Sequence, residues 1–175
     1  MNLANKITMF RFFMVPVFMI TMYNLPVASP IPLIIFVVAS LSDAVDGYVA
    51  RNYNMVTTLG KFMDPLVDKI LVISAFVLIV EKSAIPGWIV IIVIARELII
   101  TGFRILAADA GITIAASNLG KLKTITQMLC IVMYFVSAIT GRFEIVYVVL
   151  VYVMALATVV SGWDYIYKNK DVLKG

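Results

Sequence analysis

The stretch "SDAVDGYVARNYNMVTTLGKFMDPLVDKI", residues 42–70, sets four aspartates, Asp43, Asp46, Asp64 and Asp68, into a chain that is otherwise strongly apolar. Of the 175 residues, 63% are hydrophobic and 14% charged, and the mean hydropathy is +1.05. Soluble domains carry about 25% charged residues. A soluble fold of this length cannot hide so much apolar surface from water. The composition therefore predicts an integral membrane protein. In lipid every backbone polar group must be satisfied within the chain, and apolar runs of this length do so as helices.

Outward from residues 42–70, six apolar segments are long enough to cross a bilayer, roughly 9–26, 31–51, 60–80, 86–108, 119–140 and 143–167. Turn chemistry separates them: Pro26, Pro30 and Pro32, then "NYN" at 52–54, "KSAIPG" around Pro86, Gly111, and "TGR" at Gly141. The expectation is an all-α, polytopic membrane protein with six transmembrane helices, folded as one domain over 1–175. Lys6 and Arg11 ahead of the first apolar run imitate a signal peptide, but no small-x-small cleavage site follows, and this segment is read as a retained helix.

Orientation follows from the basic residues. Of the 14 lysines and arginines only Lys82 and Arg142 fall on the side opposite the N-terminus. The positive-inside rule then places both termini, and the loop that interrupts residues 42–70, on the cytoplasmic side. The chain has no histidine, which excludes His-based catalysis and His metal ligands. Its single cysteine, Cys130, sits in an apolar run and permits neither a disulfide nor a thiolate zinc site. Nothing in the net charge of +4 calls for nucleic acid.

The aspartates converge by spacing alone. With one helix ending near Arg51 and the next starting near Gly60, Asp43 and Asp68 each lie about 12 Å from the hairpin turn, and Asp46 and Asp64 about 7 and 6 Å from it. Within each helix the pair is i,i+3 or i,i+4 and shares a face. An ionised aspartate in a membrane helix costs about 2.5–3.5 kcal/mol, so four together are not idle packing. Oxygen-only ligands without His or Cys suit Mg²⁺ or Mn²⁺, and two such ions would neutralise four carboxylates and clamp a diphosphate.

The pattern Asp43-x-x-Asp46-Gly47-x-x-Ala50-Arg51, eight residues, then Gly60-x-x-x-Asp64-x-x-x-Asp68 resembles the signature of the CDP-alcohol phosphatidyltransferases at all its fixed positions. That resemblance implies attack by a small alcohol on the β-phosphorus of a CDP-linked lipid, with CMP leaving. It implies metal at Asp43, Asp46, Asp64 and Asp68, with Asp68 also the general base. It sets Gly47, Ala50, Arg51 and Gly60 at the CDP-lipid. "NKITMFR" resembles the family's opening motif and adds Asn5, Thr8 and Arg11 to the CDP-lipid side. The family further implies a homodimer in the inner membrane of a bacterial cell.

The acceptor is read from the second half. "AREL", "TGFR" and "GKLKT" supply Arg96, Arg104, Lys121 and Lys123; Arg96 has Glu97 or Asp164 to pair with, whereas the other three have too few acids nearby to be used up that way. A cationic pocket predicts an anionic acceptor. The three stretches resemble the bacterial branch of the family that uses CDP-diacylglycerol and sn-glycerol 3-phosphate and makes phosphatidylglycerol phosphate. Inositol phosphate and phosphatidylglycerol are the competing acceptors within the family. A small cation transporter is the rival from another class, disfavoured because the acids crowd one hairpin near one membrane surface.

Overall fold

The computed structural model describes the backbone of residues 3–52, 58–109, 111–112, 114 and 117–170; among these, the side chains of 3–6, 43–52, 58–65 and 68 lie outside the description. Six α-helices follow one another: α1 (Leu3–Asn24), α2 (Pro30–Asn52), α3 (Thr58–Glu81), α4 (Gly87–Asp109), α5 (Asn118–Thr140) and α6 (Glu144–Lys168). No strand occurs among the described residues. At 22 to 25 residues each, the helices are about 33–38 Å long, enough to cross a hydrocarbon core. The polytopic all-α expectation is met.

Three helices are apolar enough to span by composition alone among the described residues: 7–24 in α1, all of α5 and all of α6. The reason α4 does not join them is chemical. It carries Arg96, Glu97 and Arg104 in its body. The first helix begins at Leu3, earlier than the apolar run suggests, because "LANKIT" is helix-competent although polar.

The helix ends obey local rules. The end of α4 is a Schellman turn: Gly111 at φ 72° donates to the Ala108 carbonyl, and Ile112 donates to that of Ala107. Ser83, at φ 58°, ends α3 the same way, its N–H on the Val80 carbonyl and that of Ala84 on Ile79. The Oγ of Ser117 accepts from the Gly120 N–H at 3.0 Å and caps the start of α5.

The chain divides into two compact units, residues 1–78 with 138–141, and residues 79–137 with 142–175. In the first unit α1 packs on α2, with Phe18 and Phe36 fully buried and their rings 6.0 Å apart. In the second unit α4 packs on α6. Its buried stripe on α4 runs through Ile89, Val90, Val93, Ile100, Phe103 and Ala107. The stripe on α5 runs from Lys123 through Gln127 and Cys130 to Tyr134, and that on α6 from Tyr147 through Met154 and Thr158 to Tyr165. Each recurs every three to four residues, the helical period. The opposite faces expose Ile91, Leu98, Leu106, Leu129, Ile145 and Leu156, as lipid requires. Tyr147 Oη donates to the Ala84 carbonyl at 3.0 Å, tying the α3–α4 turn to the start of α6.

Candidate functional site

The first unit carries the motif residues. Asp43, Asp46, Gly47, Ala50 and Arg51 lie on α2, and Gly60, Asp64 and Asp68 on α3; their side chains, with that of Asn5 on α1, lie outside the described residues. As a donor set they fit a hard divalent cation: four carboxylates on two helices, and no histidine in the chain.

Two residues of the N-terminal motif, Thr8 and Arg11 on α1, are described. Thr8 and Arg11 sit three residues apart on one face of α1 and are 3% and 0% exposed. The Arg11 Nε donates to Ser42 Oγ at 3.4 Å, and Ser42 in turn donates to the Ala39 carbonyl at 2.7 Å. Ser42 immediately precedes Asp43 in α2. The fold thus brings the "NKITMFR" segment to the level of the first motif aspartate. Ser42 itself was not legible as a partner, since a serine on an apolar helix carries no signal of its contacts.

The second unit gathers the other candidates. Arg96 and Glu97 occupy the gap in the buried stripe of α4 between Val93 and Ile100, so both turn inward. Glu97 Oε1 accepts from Arg96 Nη1 at 3.1 Å and also from Lys123 Nζ. Their side chains are 13%, 14% and 5% exposed for Arg96, Glu97 and Lys123. The expectation that Lys123 lacks a nearby acid is therefore corrected: it is ion-paired, because α4 and α5 turn Glu97 and Lys123 toward each other. Asp164, the other acid considered for Arg96, instead pairs with Lys168 one turn along α6.

Gly162 makes room for Arg96. A Cβ on Gly162 of α6 would come 3.2 Å from Arg96 Cγ, and one on Gly120 of α5 would come 3.8 Å from its Nη2. The Arg96 Nε is buried with no hydrogen-bond partner among the described residues. Gly162→Ala is therefore expected to lower the thermal unfolding midpoint in detergent, since overpacking costs about 1–3 kcal/mol. Gly102→Ala, at an exposed helical position with no described atom within 4 Å of an added Cβ, should hold or raise it, since alanine is favoured over glycine in a helix by about 0.5–1 kcal/mol. Equal midpoints in both variants would remove the tight Gly162–Arg96 packing.

Arg104 and Lys121 are exposed. The Arg104 Nε donates to Tyr165 Oη at 3.1 Å, and its guanidinium carbon lies 5.5 Å from that ring's centre. Tyr165 is 2% exposed and is held by Phe103 and Ile100. Sequence reading missed it; its place on the α6 stripe, seven residues after Thr158, was the available signal. Lys121 opens α5 beside the capped N-terminus, whose N–H groups favour anions. Arg96, Lys123 and Glu97 thus form one ion-paired group around a buried lysine, while Arg104 stands apart on a rigid aromatic support.

The sequence profile of a family described as CDP-alcohol phosphatidyltransferase matches residues 1–163. A Bacillus subtilis protein named CDP-diacylglycerol–glycerol-3-phosphate 3-phosphatidyltransferase is 40% identical, over 99% of this chain and 97% of its own. Proteins of the same name from Haemophilus influenzae and Rickettsia bellii are 37% and 32% identical, covering 98% and 94% of this chain and 95% and 93% of theirs.

Proposed function

The chain belongs to the CDP-alcohol phosphatidyltransferase family, and from that premise we propose that it moves the phosphatidyl group of CDP-diacylglycerol onto sn-glycerol 3-phosphate, a step of phospholipid synthesis. The observation that carries the acceptor is the near-full-length similarity to proteins named for glycerol 3-phosphate. The cations of the second unit support it, because an anionic acceptor needs them and serine, choline or ethanolamine does not.

In the reaction the acceptor hydroxyl oxygen forms a bond to the β-phosphorus as the bond from that phosphorus to CMP breaks. The hydroxyl proton passes to the Asp68 carboxylate. Proton removal by a positioned carboxylate contributes to the rate even at an ordinary pKa, because it acts as the new P–O bond forms. Asp43, Asp46, Asp64 and Asp68 would hold divalent metal, on which the family depends, as two Mg²⁺ or Mn²⁺ ions. When bound, these stabilise negative charge on the phosphoryl oxygens and the departing CMP. Asn5, Thr8, Arg11, Gly47, Ala50, Arg51 and Gly60 bind the CDP-lipid. Arg96, Arg104, Lys121 and Lys123 receive the acceptor phosphate, aided by the start of α5. An acceptor panel with CDP-diacylglycerol and Mg²⁺ or Mn²⁺, read by lipid product, tests the assignment; a product other than phosphatidylglycerol phosphate overturns it.

The chain is an integral membrane protein. We further propose one phosphatidyltransferase domain of six spans in the bacterial inner membrane, acting as a homodimer, with the aspartates facing the cytoplasm. Thiol labelling checks the orientation. With Cys130 replaced, a cysteine at Asn54 should react only from the cytoplasmic side, and one at the exposed Lys82 only from outside. The reverse pattern would sink both the topology and the placement of the site.

A further inference from the structure

Glu97 joins two of the cations of the second unit, Arg96 and Lys123. Glu97 accepts from Arg96 Nη1 and from Lys123 Nζ through the same carboxylate oxygen. Neighbours on a helix point about 100° apart and do not meet by register. The Arg96 stem lies close against Gly162 and its guanidinium reaches Glu97. Lys123 is 4% exposed, on the same α5 stripe as Thr126 and Gln127. An ammonium is costly to bury without an adjacent carboxylate. Glu97 is thus one partner that supports Lys123 as a cation at that position.

We propose that Glu97 is a positioning residue for the acceptor phosphate. It touches no substrate; it sets the direction of the Lys123 ammonium and the Arg96 guanidinium, which do. An ammonium has three N–H donors and can hold a carboxylate and a phosphate oxygen together. This inference rests on the reading of Arg96 and Lys123 as acceptor ligands. Simple charge counting predicts the opposite sign: a carboxylate near a dianion's site repels it, and its removal would tighten binding. The direction of the change in acceptor KM therefore separates the two roles.

The experiment compares Glu97→Gln, Glu97→Asp, Lys123→Gln and the Glu97→Gln/Lys123→Gln double variant, as full-length protein in mixed micelles with CDP-diacylglycerol. Glu97→Gln should raise the glycerol 3-phosphate KM about tenfold, the loss of one charge-assisted contact, with kcat and the CDP-diacylglycerol KM within about twofold. Glu97→Asp should lie between wild type and Gln, since it keeps the charge and shortens the reach. In the Lys123→Gln background, Glu97→Gln should add less than about twofold, because coupled residues are not additive. A lowered acceptor KM in Glu97→Gln, or full additivity in the double variant, overturns the positioning role. If Lys123→Gln alone leaves the acceptor KM unchanged, the cationic pocket itself is misassigned, a separate failure. Should Glu97→Gln not accumulate as folded protein, Glu97→Asp decides: an unchanged acceptor KM there counts against the proposal.

Discussion

Asp68→Asn is expected to cut turnover by about 10²–10⁴-fold, the range lost when a positioned general base is removed. Its CDP-diacylglycerol binding should largely persist, because the amide keeps the size of the side chain and three carboxylates remain for metal. Asp43→Asn and Asp64→Asn should behave differently. Each removes a charged oxygen ligand, so activity should fall and then recover in part as Mg²⁺ or Mn²⁺ is raised. Turnover, metal titration and equilibrium CDP-diacylglycerol binding on the same preparations distinguish these outcomes. Full activity in Asp68→Asn would remove it as the base. The same metal dependence in all the variants would leave no division of labour among the four acids.

The second large effect is expected at Arg104. Neutralising a side chain that donates to the acceptor phosphate removes about 1.5–3 kcal/mol, or about ten- to a hundredfold in glycerol 3-phosphate KM. Arg104→Gln should show that rise while the CDP-diacylglycerol KM moves far less. Tyr165→Phe makes the test specific. It keeps the buried ring against Phe103, 6.0 Å between centroids, and removes only the hydroxyl that orients Arg104. Its acceptor KM should rise by a smaller factor in the same direction, since orientation is loosened and the charge retained. If neither variant moves the acceptor KM, Arg104 anchors the helix at the membrane surface and takes no part in recognition.

Arg11 shows where sequence reading and structure meet. Its type and spacing in "NKITMFR" marked it, and the fold places it fully buried, with Ser42 as a partner 31 residues away. Lys123 shows where they part. As a lysine near the start of an amphiphilic helix it looked like one more uncompensated cation, because Glu97 stands 26 residues earlier on a different helix. The pairing of Arg104 with Tyr165 spans 61 residues. Such distances carry no local signal.

The sequence by itself determined the membrane environment, the all-α class and the positions of the helices, because apolar length and turn residues act within a few neighbours. It also determined the aspartate signature, whose spacing is a property of two helices and the turn between them. Which charges pair with one another depends on how the helices pack. The rotation of each helix about its axis is set by packing against its neighbours. That rotation turns Glu97 onto Lys123, lays Arg96 along Gly162 and leaves Arg104 on Tyr165. A charge pattern read along one helix holds no record of it.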